Sequence, residues 1–125
     1  MPEHDAVDHS AIDPAVRERM QREWNERARE DAHFYVAFGR REQDPEEFFA
    51  TAGEIVRSLE TELRRLGPAG EARTALEIGC GPGRLMRPMA NHFREIHGVD
   101  VSDEMIGRAR VNLGCDPLAG VERNL

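Results

Sequence analysis

Apolar residues recur at every fourth position between residues 12 and 32, which indicates one face of a long helix. The row consists of Ile12, Val16, Met20, Trp24, Ala28 and Ala32. Asp13 and Pro14 stand where this helix would begin, as an N-cap and a first-turn proline. We expect the apolar row to pack against the rest of the protein and the intervening charged side chains to face solvent.

Two further helices are predicted before residue 70. Asp44 and Pro45 repeat the N-cap and proline signal ahead of a short helix. Thr51 and Glu54 then have the spacing of a capping box, so another helix is expected to begin there. Its apolar face would consist of Ile55, Val56, Leu59, Leu63 and Leu66. The segment Gly67-Pro68-Ala69-Gly70 would end it.

The pattern changes at Thr74. Residues 75–78 form a short β-prone run that ends in glycines, and residues 96–99 form a second one. Between them, residues 85–93 have a helical pattern. Pro88 falls inside that helix, so the helix either begins late or is kinked there.

A last helix follows the second strand. Ser102 is its expected N-cap and Gly114 its end, with Asp103 and Glu104 in the first turn. The inward positions would be Met105, Ile106, Ala109 and Leu113. Gly120 marks the start of a further strand. The succession of strand, helix and strand predicts a βαβ unit with parallel strands and a right-handed crossover, preceded by a helical arm. The expected fold class is therefore α/β.

Three glycines alternate directly after the first strand, at positions 79, 81 and 83. Glycine permits positive φ angles and lets a ligand approach the backbone, and N–H groups at the start of a helix are free donors. Asp100 follows 21 positions after Gly79. Both lie at the carboxyl ends of parallel strands, where a carboxylate can accept hydrogen bonds from two ribose hydroxyls. The combination predicts a nucleoside cofactor site; the alternative is a tight turn beside a solvated aspartate.

Two residues decide between nucleoside cofactors. A dinucleotide site of the Gly-x-Gly-x-x-Gly type would need a third glycine at position 84, which is Arg84. Glu77 places a negative charge beside the loop, which disfavours a pyrophosphate. S-adenosylmethionine suits the site better, because it has no phosphate and its methionine end carries an ammonium group. NAD is therefore the less favoured cofactor.

The segments 76–84 (LEIGCGPGR) and 98–106 (GVDVSDEMI) resemble the first motif of class I S-adenosylmethionine-dependent methyltransferases and the segment that follows it. The resemblance covers residues 74–114. It implies an N-terminal helical arm or lid over residues 1–70 and the first βαβα part of a Rossmann-like fold over residues 71–125.

The same resemblance implies roles for the site residues. The three loop glycines would lie beneath the methionine part and the ribose of the cofactor. Glu77 would hold the loop and the ammonium end, and Asp100 would bind the ribose diol. Val101 and Met105 would flank adenine. Cys80 would face the ligand with its backbone and have no nucleophilic role.

The residues that contact the methyl acceptor are harder to identify. Arg84 either reaches the methionine carboxylate or, as we expect, is solvated. The lid candidates are Trp24, Arg27, Tyr35 and Phe38, for which packing against the sheet is the simpler interpretation. No catalytic base is identified, because His33, His92 and His97 stand alone in the sequence and are each expected to be structural.

Composition limits the choice of partners. The chain has 125 residues, and 24 acidic against 17 basic residues give a net charge of −7. This charge argues against binding to nucleic acid or to an anionic membrane surface. Cys80 and Cys115 form neither a metal-ligand pattern nor a disulfide framework, so no metal is expected. With an acidic N-terminus that is unlike a secretory signal, a cytoplasmic location is expected.

We therefore interpret the chain as a methyltransferase that acts on a small-molecule acceptor and is present as its cofactor-binding part. The first strand is of a buried type that expects neighbours on both sides. Its open edge would be covered by a second copy or by a partner chain. The alternative is a truncated, non-catalytic module that binds the cofactor or a partner; an NAD(P)-binding domain is less favoured.

Overall fold

The computed structural model describes residues 13–67 and 73–114, and the backbone of residues 121–122. The predictions for Ile12, Pro68, Gly70, Cys115 and Gly120 lie outside these ranges. Three helices come first, and they are followed by a strand, a short helix, a strand, a helix and a strand. In the described ranges no helix is long and apolar enough to cross a membrane. The predicted helical arm and α/β order are confirmed.

Helix α1 spans Pro14–Val36 and begins as the sequence predicts. The Asp13 carboxylate accepts the N–H of Ala15 at 2.9 Å. The apolar row packs only in its second half, where its two alanines are buried, whereas Met20 remains exposed. The apolar side chains in the first turns of α1 therefore remain largely exposed.

Helix α1 is interrupted at Asp31, whose backbone is extended (φ −165°, ψ 87°). One oxygen of the Asp31 carboxylate accepts the N–H of Phe34 at 3.1 Å, and the other accepts the N–H of Glu42 at 2.8 Å. Asp31 thus caps the last turn of the arm and fixes the loop that follows it.

Helix α2 spans Pro45–Ala50 and has a complete capping box. The Asp44 side chain accepts the N–H of Glu47 at 2.9 Å, and the Glu47 carboxylate accepts the N–H of Asp44 at 3.2 Å. These two bonds satisfy N–H groups that the helix itself leaves unpaired.

Helix α3 spans Gly53–Arg65, and the capping box predicted at Thr51 is wrong. The Thr51 hydroxyl donates to the carbonyl of Phe48 at 2.6 Å, and the helix begins without a side-chain cap. The hydroxyl closes the end of α2 because the two helices are separated by only two residues. Val56 is buried on the inner face of α3.

Strands β1 (Thr74–Ile78), β2 (Glu95–Val99) and β3 (Val121–Glu122) form a parallel sheet in the order β1-β2-β3. In the described part of the chain β1 is therefore an edge strand. Leu76 and Ile78 on this strand are 61% and 69% exposed. The unpaired edge that the sequence predicts for this strand is therefore present among the described residues.

Helix α4 spans only Met86–Met89 and continues as a 3-10 turn over Ala90–His92. Pro88 lacks the N–H that would bond to the carbonyl of residue 84, so regular helix begins late. The structure thus selects the first of the two arrangements left open for the predicted helix.

Helix α5 spans Asp103–Asn112, and its predicted ends are confirmed. The Ser102 hydroxyl oxygen accepts the N–H of Met105 at 3.1 Å. Gly114 follows the helix with a φ of +89°, the left-handed conformation typical of a helix end. Met105 packs against the alanines of α1, so α5 joins the arm to the sheet.

Candidate functional site

The glycine loop, residues 79–83, connects β1 to α4. Gly79, Gly81 and Gly83 have φ angles of +74°, +53° and +85°, which explains why glycine occupies each of them. A Cβ on Gly79 would meet no atom within 4 Å, whereas one on Gly81 would lie 3.6 Å from Val36 Cγ2. Gly79 therefore faces open space, and Gly81 lies beneath the end of α1.

Several N–H groups of the loop bond within the protein. Those of Gly79 and Cys80 both donate to the carbonyl of Val99, at 2.8 and 3.0 Å, and that of Gly83 donates to the carbonyl of Cys80 at 3.1 Å. These three N–H groups are therefore not available to a ligand. The end of β2 holds the loop in shape instead.

Asp100 is buried at the end of β2 and joins two turns. One carboxylate oxygen accepts the N–H of Gly81 at 2.9 Å, and the other accepts the N–H of Ser102 at 2.8 Å. An ionised carboxylate offers about four acceptor positions. Each oxygen of Asp100 therefore retains acceptor capacity for a further donor, such as a ribose hydroxyl.

Two ionisable groups near the loop have shifted pKa values. Burial raises the pKa of Glu77 to about 7, the Arg84 guanidinium opposes this, and the Asp100 carboxylate adds to it. Burial also raises the pKa of the Cys80 thiol to about 12, with contributions from Asp100 and Glu77. Because a thiolate is the reactive form of cysteine, Cys80 is not a nucleophile near neutral pH.

Arg84 ties the loop to the turn between α2 and α3. Its Nε donates to the Thr51 hydroxyl and its guanidinium NH2 to the Thr51 carbonyl, each at 2.9 Å. The side chain is therefore bonded rather than freely solvated, and its contact with the methionine carboxylate stays a prediction.

A cavity of about 400 Å³ lies between the glycine loop, the end of β2 and α1. It is lined by Met20, Trp24, Tyr35, Val36, Ile78, Gly79, Gly81, Asp100, Val101 and Met105. The structure thus brings together five of the eight predicted cofactor residues. Volumes of this size are typical of small-molecule sites.

The other three predicted residues lie beside this cavity and do not line it. Cys80 points its thiol into the core, next to Met86, and Gly83 packs against α5. Glu77 lines a different, apolar groove of about 280 Å³ between α3 and the sheet.

The lid candidates divide into two groups. Trp24 and Tyr35 line the cavity, and the Arg27 guanidinium lies 4.6 Å from the centre of the Trp24 ring and 6.0 Å from that of Tyr35. Phe38 is 76% exposed and does not line it. Met20, one turn before Trp24 in the same apolar row, also lines the cavity, whereas the sequence pattern predicted only packing for it.

Asn25 was not singled out from sequence, and it fixes the arm to the site. Its side-chain oxygen accepts the Ser102 hydroxyl at 2.5 Å and the N–H of Glu104 at 3.2 Å. Ser102 also donates its own N–H to Asp100. The arm and the buried carboxylate therefore share one hydrogen-bonded turn.

The three histidines bond away from the cavity. His33 Nδ1 lies 2.8 Å from the Gln43 carbonyl, and its ring stacks on a phenylalanine of α2 at 4.1 Å. His92 pairs with Glu60 at 3.2 Å. His97 lies 3.5 Å from the carboxylate of its strand neighbour, residue 95. None of the three lines the cavity, and no catalytic base is assigned.

The family comparison matches the part of the chain that builds this loop. Residues 75–122 match a protein-family model described as "Methyltransferase domain". This segment is similar to the methyltransferase domain family. The resemblance to class I methyltransferases drawn from the two motifs is thereby confirmed.

Two curated relatives are similar to the chain. Trans-aconitate 2-methyltransferase of Mycobacterium marinum is 35% identical over 79 residues, covering 62% of this chain and 29% of the relative. The 23S rRNA (uracil(1939)-C(5))-methyltransferase RlmD of Legionella pneumophila is 26% identical over 98 residues, covering 74% of this chain and 22% of the relative. The chain spans less than a third of the length of either relative.

Solved methyltransferase structures share the fold. Magnesium protoporphyrin IX methyltransferase (ChlM) of Synechocystis PCC 6803, with bound SAH, has a TM-score of 0.57 at 18% identity, over 86% of this chain and 49% of that one. Geranyl diphosphate C-methyltransferase of Streptomyces coelicolor A3(2) has a TM-score of 0.56 at 18% identity, over 92% of this chain and 50% of that one. The chain thus has the fold expected, a helical arm followed by part of a Rossmann-like α/β unit.

Proposed function

We propose that the chain binds S-adenosylmethionine and supplies the cofactor-binding part of a methyltransferase. The observation that carries this proposal is the cavity in which the Gly79–Gly83 loop faces the buried carboxylate of Asp100. The open space above Gly79 admits a ligand against the backbone. The two structures described above come from methyltransferases, and both hold S-adenosylhomocysteine (SAH), which also favours this cofactor.

The residues fit parts of the cofactor. Asp100 accepts the ribose hydroxyls through the acceptor positions that Gly81 and Ser102 leave available. Val101 and Met105 supply apolar surface for adenine. Glu77 stays a prediction for the ammonium end, because its side chain lines the neighbouring groove.

When bound, this cofactor supplies a methyl group that is already activated by its sulfonium, so the protein mainly provides orientation and exclusion of water. The arm provides exclusion, because Trp24 and Tyr35 of the arm line the cavity together with the loop glycines. This role for residues 1–70 as a lid over the domain of residues 71–125 is part of the proposal.

The proposed acceptor is a small molecule. Apolar and aromatic side chains of the arm line the cavity, and the chain carries a net charge of −7, which opposes association with a polyanion. A relative named for trans-aconitate supports this class, whereas RlmD is named for ribosomal RNA. Covering of the β1 edge by a second chain and a cytoplasmic location also stay predictions.

Calorimetric titration tests the cofactor. We expect S-adenosylhomocysteine to bind the purified chain and NAD not to bind. Binding of NAD alone would overturn the proposal.

For the acceptor, methyl transfer to trans-aconitate is compared with transfer to a ribosomal RNA fragment. Transfer to the RNA alone would contradict the small-molecule class.

A further inference from the structure

The guanidinium of Arg27 lies against two aromatic residues that line the proposed cofactor cavity. Met20, Trp24 and Arg27 are spaced four and three residues apart and so lie on one face of α1. The first two line the cavity, and Arg27 continues the row, stacked against the rings of Trp24 and Tyr35. Arg27 is half-buried there.

Stacking leaves the hydrogen-bonding edge of Arg27 available. A guanidinium contacts aromatic rings through its planar face, while its N–H donors point outward in the plane. Within residues 13–67 and 73–114, no carboxylate lies within ion-pair distance of Arg27. The nearby acid Glu30 already pairs with Arg41 at 3.0 Å and accepts the Tyr35 hydroxyl at 2.9 Å.

The cavity otherwise offers an acidic ligand little positive charge. Its lining contains Asp100 and no cationic side chain. Arg84, the arginine nearest to the loop in sequence, uses its Nε and one NH2 on Thr51. An anionic ligand group in this cavity would therefore depend on Arg27.

We infer that Arg27 is a carboxylate-binding residue, held by Trp24 and Tyr35 so that its N–H fork faces a ligand in the cavity. This inference rests on the proposed function. The carboxylate belongs either to the methionine end of the cofactor or to the methyl acceptor. Both sources have the planar oxyanion that a guanidinium binds through two parallel hydrogen bonds.

The test compares ligands with and without a carboxylate. S-adenosylhomocysteine and 5′-methylthioadenosine share adenosine and sulfur, but only the first has an amino-acid end. Both are titrated into the wild type, Arg27→Gln, Arg27→Lys and the exposed-arginine control Arg22→Gln. Trans-aconitate is titrated into the same proteins with and without S-adenosylhomocysteine.

If the cofactor supplies the carboxylate, Arg27→Gln weakens binding of S-adenosylhomocysteine about tenfold and leaves that of methylthioadenosine within about twofold. If the acceptor supplies the carboxylate, Arg27→Gln abolishes trans-aconitate binding. The ratio of the affinities for S-adenosylhomocysteine and methylthioadenosine then stays unchanged. In either case Arg27→Lys recovers part of the loss and Arg22→Gln has no effect.

One pattern would overturn the inference. In it, Arg27→Gln weakens the binding of both nucleosides equally, and trans-aconitate binding is unchanged or is absent from the wild type. That pattern would assign Arg27 to docking of the arm. Failure of the proposed function is distinct, because the wild type would then bind neither nucleoside. Trans-aconitate in the absence of nucleoside would still report on Arg27.

Discussion

The Asp100 carboxylate accepts the backbone N–H of Gly81 at 2.9 Å, and this bond joins the end of β2 to the loop after β1. The same carboxylate accepts the N–H of Ser102 at 2.8 Å. Asp100 therefore holds the loop in shape and also faces the cavity. A single buried side chain thus links the conformation of the loop to the proposed nucleoside site.

Replacement of Asp100 by Asn should weaken S-adenosylhomocysteine binding about tenfold or more. An amide of the same shape keeps one acceptor oxygen but loses the charge that strengthens hydrogen bonds to a ribose diol. Calorimetry measures the affinity, and circular dichroism checks that the chain remains folded.

The control for Asp100→Asn is Glu46→Gln, which removes one negative charge from an exposed turn of α2. Its affinity should equal that of the wild type. Unchanged affinity in the Asp100 variant would refute the ribose assignment.

The stability of the chain should fall as the pH rises toward neutrality because of Glu77. Burial raises the pKa of Glu77 to about 7 in the folded chain, against 4.5 for the ordinary group. Between these values the folded state binds more protons than the unfolded state, so the free energy of unfolding decreases with rising pH. Above the pKa of Glu77 in the folded chain, the loss of stability caused by its ionisation is complete.

Glu77→Gln removes this cost. At about pH 8 the variant should melt roughly 3–6 °C above the wild type, and the difference should shrink toward about pH 5. Thermal denaturation at several pH values measures it. A pH-independent difference would show that the pKa of Glu77 is not raised.

Local signals were sufficient to predict most of the fold. The caps at Asp13, Asp44 and Ser102 each bond to an N–H within three residues, so sequence spacing alone specifies them. The alternation of glycines likewise reflects three positive φ angles in five residues. These features depend on neighbours along the chain.

The contacts that complete the site depend on distant partners. Asn25 meets Ser102 across 77 positions, and Arg84 meets Thr51 across 33. No periodicity or short motif encodes such pairs. The error at Thr51 has the same origin, because its hydroxyl is engaged by Phe48 and by Arg84, which lies beyond the next helix.

Asn25→Ala should loosen the arm. The substitution leaves the Glu104 N–H and the Ser102 hydroxyl without this acceptor, at a cost of about 1–2 kcal/mol. Limited proteolysis should cut α1 faster than in the wild type. The exposed neighbouring substitution Glu26→Ala should leave the rate unchanged, and equal rates in both variants would contradict the role of Asn25.

Gly98→Ala should destabilise the core by about 1–3 kcal/mol, measured by denaturant unfolding. A Cβ at this position in β2 would lie 2.4 Å from Met86 Sδ and 2.9 Å from Cys80 Sγ. The methionine tip can move, but the Cys80 Cβ, at 3.0 Å, is fixed by the loop.

Gly107→Ala, in helix α5, is the matched control. A Cβ at this position would meet no atom within 4 Å, and alanine has a higher helix propensity than glycine. That variant should be as stable as the wild type or more so. If Gly98→Ala is as stable as the wild type, the loop can shift to accommodate the added Cβ. The close approach of β2 to Cys80 would then not constrain the site.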